Sequence, residues 1–318
     1  MTNDAQRICS LLPSATEIVC ALGLEERLIG VTHECDYPPE ATTKPQVTSS
    51  VIDSEGLSSR EIDQAVRTSL EEQATIYHLD RGLLEALRPD LVLTQELCDV
   101  CAVGTAEVRR VISGLAAQPK LVSIEPRTLS DVFDSIMLVG RLTGTLRKAL
   151  QLVDTLLGRL ERVRRAVADC PRPSVLTLEW VDPVFVGGHW VPEMVQIAGG
   201  CDALGRVAEP SREVTWEEVV KSAPQIIVVM PCGFGLARSA QELLNATLPP
   251  QWRRLPAVVE GHIFAVDGSS YFNRPGPRLV DGVEILATIL HPEAFSQAPP
   301  NSFACITGAA GSTTPVLL

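Results

Sequence analysis

From Leu129 to about Asp169, apolar residues recur at helical spacing for roughly 40 positions with no strand signal. Leu146, Leu150, Val153, Leu157, Leu160 and Val163 mark one stripe, with Arg147, Lys148, Arg159, Arg162 and Arg164 opposite. Gly140 and Gly144 are the positions at which such a helix bends or divides. The heptads are not sustained over the three or four repeats a coiled coil needs, which favours a rigid connector over a dimerisation arm. A chain built around this run is constrained to have something separate to connect at each end.

Both flanks carry the same rhythm of short apolar runs alternating with helical patterns, the signature of α/β structure. Before the connector, strands are expected at Arg7–Leu12, Arg27–His33, Thr75–Leu79, Asp90–Gln95 and Leu121–Ile124, with helices at Ser14–Leu24, from Ser58 to Gln73, at Leu83–Leu87 and at Thr105–Ala116. After Pro171 and Pro173, strands are expected at Ser174–Trp180, Phe185–Gly187, Gln225–Met230 and His262–Val266, with helices at Trp190–Ala198, Ala240–Thr247 and Leu279–Leu290. Ser58 with Glu61, and Thr215 with Glu218, have capping-box spacing. The expected fold is α/β: two Rossmann-like lobes, residues 1–126 and 171–296, joined by a long helix over 127–170. The Pro, Ser, Thr, Gly and Ala composition of 297–318 predicts a flexible tail.

Composition narrows the partners. The chain has 318 residues, 45% of them hydrophobic and 21% charged, and a formal charge of −12. That charge opposes binding to nucleic acid or to anionic lipid. No apolar run approaches the roughly 18 residues of a membrane span. Met1–Arg7 has no basic region, apolar core or small-residue cleavage site, so a cytoplasmic protein is expected. Nine cysteines, an odd number spread over a long chain, do not form a secreted disulfide scaffold, and the expectation for most is a reduced thiol.

In open α/β sheets ligands bind beyond the carboxyl ends of the strands. His33 and Cys35, then Glu96, Cys98 and Cys101, then Glu179 and Trp180, then His189 and Trp190, and finally Cys232 fall at such positions. His33, Cys35, Cys98 and Cys101 form a donor set suited to zinc, iron or another thiophilic metal. A reactive dithiol and thiols that only line the core remain as alternatives. Trp180 and Trp190 offer flat apolar walls, and Tyr37 projects from a loop ahead of Pro38. Ser14 and Thr16 open a helix whose free amides suit an anionic or amide group, with an ordinary N-cap as the plainer reading. Arg274 reaches a site mouth or pairs with the last helix. There is no nucleophile elbow, phosphate loop, dinucleotide fingerprint or His-Glu-x-x-His motif, so nothing argues for a hydrolase or kinase, and no catalytic residue is assigned.

The run Cys9-Ser-Leu-Leu-Pro-Ser-Ala-Thr-Glu17, followed by Leu28-Ile-Gly-Val-Thr-His33, Leu87-Arg-Pro-Asp-Leu-Val-Leu93, Asp182-Pro-Val-Phe-Val-Gly-Gly-His-Trp190 and Arg274-Pro-Gly-Pro-Arg-Leu-Val-Asp-Gly282, resembles substrate-binding proteins of the vitamin B12 and iron-siderophore transport class. The likeness runs in order from about residue 7 to 295, and the cobalamin-binding branch is the nearest. It implies two lobes bridged by a helix, with ligand between them and the Gly-His segment at His189 bordering it, near enough for contact with a corrinoid or its cobalt. It also implies an acidic residue on each lobe for docking to a membrane permease. Glu217 falls at the second-lobe position, whereas Gly82 occupies the first-lobe position with Asp80 two residues away. With this first docking acid missing from its place and no signal segment, the reading reached is a cytoplasmic binding protein for a corrinoid or similar large cofactor, with permease docking in doubt. A metal-dependent enzyme using the His/Cys cluster, with Glu96 or Glu179 moving protons, and an ABC-transporter substrate-binding subunit are the alternatives.

Overall fold

The computed structural model describes residues 4–54, 56–73, 76–95, 105–306 and 316–317, which fall into two compact units. The first comprises residues up to Leu57, Glu61–Pro126 and Ser130–Thr155; the second comprises Ser58–Arg60, Arg127–Leu129 and Leu156–Leu318. No helix among the described residues is long and apolar enough to cross a membrane.

In chain order the first part contains β1 (Ile8–Ser10), α1 (Pro13–Ala21), β2 (Leu28–Val31), β3 (Thr48–Ser50), α2 (Ser59–Gln73), β4 (Tyr77–Leu79), α3 (Arg81–Leu87), β5 (Leu91–Thr94), α4 (Thr105–Ser113) and β6 (Lys120–Ser123). The main sheet has the order β2-β1-β5-β6, all parallel, and β3 and β4 make a separate antiparallel pair. β5 reads Leu-Val-Leu-Thr and is buried throughout, the mark of a parallel strand covered on both faces. Its start is pinned to β1 by Asp90, whose carboxylate accepts from the backbone N–H of Gln6 (2.9 Å) and Arg7 (3.1 Å). Cys9, Val92, Leu84 and Ile112 meet in the core between sheet and helices.

The connector is two helices, α5 (Leu129–Leu142) and α6 (Leu146–Ala166), not one. Gly144 ends the first with φ +71°, and any β-carbon there would collide with the Asp4 carboxylate. Close packing of the two helices explains a second difference from expectation. A β-carbon on Gly140 would lie 2.5 Å from Ala149 Cβ, so α6 turns the small residue Ala149 inward, along with Leu156, Leu160 and Val163. Leu146, Leu150 and Leu157, counted in the apolar stripe, are exposed instead, Leu150 by 53%.

The second part contains β7 (Ser174–Trp180), β8 (Phe185–Val186), α7 (Val191–Ile197), β9 (Cys201–Asp202), β10 (Arg212–Glu213), α8 (Trp216–Ser222), β11 (Ile226–Val229), α9 (Leu236–Asn245), α10 (Pro256–Val259), β12 (Ile263–Val266), α11 (Gly268–Tyr271), α12 (Leu279–Leu290), β13 (Phe303–Cys305) and β14 (Val316–Leu317). The sheet order is β10-β8-β7-β11-β12-β13-β14, with β9 also pairing with β7. β7, β11 and β12 are its parallel centre, and Trp252 fills the core beneath them. The capping box expected at Thr215 is formed in full: its hydroxyl accepts from Glu218 N–H and the Glu218 carboxylate accepts from Thr215 N–H.

The expected tail is partly a strand. Phe303–Cys305 pairs antiparallel with β12, Ile306 N–H donates to Ile263 O at 2.7 Å, and Phe303 packs edge-on against Phe264. Alternation within Ser-Phe-Ala-Cys-Ile buries Ser302, Ala304 and Ile306 and outweighs the loop-like composition around it.

Candidate functional site

In the first unit, the carboxyl ends of β1 and β2 carry a dense set of buried hydroxyls. Helix α1 opens with Pro13 at its first position, and the N-cap residue Leu12 makes no side-chain cap. Ser14 is therefore inside the first turn, and Ser14 and Thr16 are both buried. Thr16 Oγ1 lies 3.1 Å from Cys35 Sγ, so these two side chains are used on each other. Tyr37 is 45% exposed on the loop that follows.

His33 is held by a chain of hydroxyls. Thr48 Oγ1 donates its only proton to Thr32 Oγ1 (2.8 Å) and accepts from His33 N–H (3.1 Å), so its 2.8 Å contact with His33 Nδ1 requires the imidazole to donate. In the neutral ring this leaves the lone pair on Nε2, which sits 3.3 Å from Glu34 Oε1 in a geometry that forms no hydrogen bond. Cys98 and Cys101, the other half of the expected metal set, lie outside the described residues, as does Glu96. Among the described residues no group of three or more His, Cys, Asp or Glu side chains is disposed to hold a metal ion. Burial, with a smaller contribution from Cys35, pushes the Cys9 thiol up to about 12, so Cys9 is held as the neutral thiol.

The second unit assembles its polar groups more tightly. Glu179 stands one residue before the end of β7, and its carboxylate accepts from Ser211 Oγ at 2.5 Å and from Gly188 N–H. The Asn273 side-chain amide approaches the same carboxyl group, yet neither its nitrogen nor its oxygen has a well-formed hydrogen bond, although both atoms are covered from solvent. Burial pushes the Glu179 carboxyl above the ordinary carboxylate range against the pull of these contacts. Gly188 fits because it has no side chain: a β-carbon would stand 2.3 Å from Ser211 N and 2.5 Å from Pro210 C.

His189 follows with φ +51°, its backbone fixed by Glu209 O (2.6 Å) and Ala208 N–H (2.9 Å). Its ring stacks on Trp190 at 5.5 Å, and burial followed by the charge of Arg127 holds its pKa below the usual imidazole value. Trp190 lies in the interior, with Nε1 donating to Phe272 O at 2.7 Å. Trp180 is only part-buried, and its ring meets Phe234 at 5.3 Å. Phe234 in turn lies 3.8 Å below the Arg238 guanidinium. Arg274 is part-buried on the loop before α12. Ser211 and Asn273 were not anticipated; the signals available were the Pro210 turn and the position of Asn273 directly ahead of the quoted Arg274-Pro motif.

The acidic positions have different surroundings. Asp80 is the N-cap of α3, its carboxylate accepting from Leu83 N–H at 2.9 Å, and Gly82 lies exposed in the same turn. Glu217 is exposed in the first turn of α8.

The sequence profile described as "periplasmic binding protein" matches residues 8–269. The chain belongs to the periplasmic binding protein family. The ABC transporter substrate-binding lipoprotein YvrC of Bacillus subtilis is 27% identical over 304 residues, covering 92% of this chain and 82% of its own. The vitamin B12-binding protein of Vibrio cholerae is 23% identical over 296 residues, covering 90% of this chain and 89% of its own. Among solved structures, a periplasmic heme-binding protein from Pseudomonas aeruginosa superposes with a TM-score of 0.70 at 20% identity, over 91% of this chain and 94% of its own. The periplasmic vitamin B12-binding protein of Vibrio cholerae gives 0.65 at 22%, over 90% and 96%. As a periplasmic binding protein, the chain is a ligand binder of the ABC-transport type with the two-lobed α/β fold. The expectation of a cytoplasmic location is overturned, because these relatives are periplasmic proteins or lipoproteins. Charge, thiol count and the first residues do not report compartment reliably enough to stand against that kinship.

Proposed function

We propose that this periplasmic binding protein is the extracytoplasmic substrate-binding subunit of an ABC importer and that its ligand is a corrinoid. The observation that carries the reading is the carboxyl end of β7, where Glu179, with Ser211 and Asn273 gathered on it, is followed directly by Trp180, whose ring meets Phe234. A corrinoid presents a broad apolar ring with a rim of carboxamides, and such an edge offers a matching surface to each. Kinship with proteins named for vitamin B12 binding supports the same choice. The net charge of −12 disfavours a macrocycle bearing carboxylates relative to one bearing amides. Delivery to a permease would use Glu217 on α8 and, in the first unit, Asp80, whose carboxylate also caps α3.

Titration with hydroxocobalamin tests the reading. The expected result is binding of about one equivalent, a shifted corrinoid absorption spectrum and quenched tryptophan fluorescence that Trp180→Leu diminishes. No spectral shift and no quenching at about 100 μM ligand, a concentration at which even weak binders of this type are occupied, would sink it. Hemin is the comparator, because heme-binding proteins share the fold.

A further inference from the structure

In the second unit, Glu179, Asn273, Ser211 and Gly188 come from four separate segments and converge on one carboxyl group. Ser211 Oγ and Gly188 N–H both donate to it. The remaining acceptor capacity of that carboxylate and the Asn273 amide lie side by side, and Asn273 Nδ2 and Oδ1 lack well-formed hydrogen bonds. Covered polar atoms of this kind cost stability unless a partner satisfies them. Both residues are only part-buried as a whole, and Glu179 stands at the carboxyl end of β7, the end of the sheet at which ligands of such folds sit.

The cluster's chemistry is selective. A carboxylate fixed by two protein donors accepts further N–H or O–H groups and repels another carboxylate. A primary amide complements a second primary amide, each giving one N–H and taking one through its oxygen. We propose that Glu179 and Asn273 form a subsite for an uncharged carboxamide on the rim of the ligand, and that Glu179 rejects a carboxylate at the same place. This rests on the macrocycle reading above and names the chemical feature by which the site chooses among macrocycles. The packing around the subsite suits a fixed role: Gly188 cannot carry a side chain without striking the backbone at Pro210 and Ser211, and a β-carbon on Gly268 would lie 2.8 Å from Asn273 Oδ1.

The test uses the full chain and two matched pairs of ligands at pH 7.5: cyanocobalamin against its rim monocarboxylic acids, and hemin diamide against hemin. The wild type is expected to prefer the amide member by about tenfold or more, the scale of a like-charge contact avoided in a site of this kind. Glu179→Gln should shrink that ratio about tenfold while leaving the melting temperature at or above that of the wild type. Asn273→Asp should widen it, a change opposite in sign that general loss of folding would not produce. An equal preference in the wild type, or a ratio unchanged by Glu179→Gln, overturns the assignment. If no corrinoid binds but hemin diamide is preferred to hemin, the corrinoid reading fails and the subsite stands. If corrinoids bind without regard to rim charge, the reading stands and the subsite fails. Binding of neither macrocycle overturns both.

Discussion

Arg159 grips Glu284 through two parallel hydrogen bonds, Nε to Oε1 at 3.0 Å and Nη2 to Oε2 at 2.6 Å, while the same Nη2 reaches Asp281. The apolar pattern of α6 places Arg159 on its outer face. The fold instead turns it toward α12, where the Glu284 side chain is nearly buried. A buried carboxylate left without its cation is costly, so Glu284 is bound more firmly than a surface pair.

Removing one partner should therefore hurt more than removing both. Arg159→Leu is expected to lower unfolding free energy by about 2–3 kcal/mol, below the full cost of a broken interior pair because the arginine is partly exposed. Arg159→Leu combined with Glu284→Leu should recover much of the loss. Denaturant midpoints of the two variants check the prediction, and equal destabilisation by both would contradict it.

Gly188→Ala should cost about 2–4 kcal/mol, since its β-carbon would meet backbone atoms, which cannot move aside as a side chain can. Ligand affinity should fall with it, because Gly188 N–H donates to Glu179. Calorimetric melting and a binding titration on the same preparation would measure both; an alanine variant that melts and binds as the wild type does would show that the turn has room.

Local signals were legible and convergent ones were not. Ser174–Trp180 and Leu279–Leu290 coincide with the elements found because each announces itself by periodicity within its own length. The Thr215–Glu218 box is likewise a device four residues long. The Glu179 cluster depends on Ser211 and Asn273 arriving from other segments, which no spacing rule encodes. The division of the connector turned on Gly144 meeting Asp4, and the inward turn of α6 on Gly140 meeting Ala149, both contacts between residues far apart or on different helices. Family kinship corrected the compartment, a property that side-chain chemistry only weakly records.

His189 holds a left-handed backbone that costs a non-glycine residue about 1 kcal/mol, and its imidazole is kept below the usual pKa by burial and by Arg127. The folded state therefore disfavours the imidazolium. Its stabilising effect is complete above the unfolded value of about 6.5 and is lost as pH falls from there toward the depressed folded value. His189→Asn accepts the same backbone more readily and does not titrate. Its melting temperature should thus gain on the wild type between pH 7.5 and 5.5, and parallel curves over that range would refute the assignment.

Glu179 has the opposite sign. Its folded pKa lies above the ordinary carboxylate value, so the folded chain holds the proton more tightly than the unfolded chain does. The wild type is then favoured at low pH, and that advantage drains away as pH rises from about 4.3, the unfolded value, through the raised folded one. Glu179→Gln keeps an oxygen for Ser211 and Gly188 but carries no charge to desolvate. The two proteins should melt within a degree or so of each other near pH 4, and the variant should melt higher at pH 7.5. Asp202, whose carboxyl is likewise pushed up by burial, and His189 titrate alike in both, so they cancel in the difference. A variant that is less stable at pH 7.5 than at pH 4 relative to the wild type would mean that the ionised carboxylate is better satisfied than its burial implies, and that the subsite is organised around the charge itself.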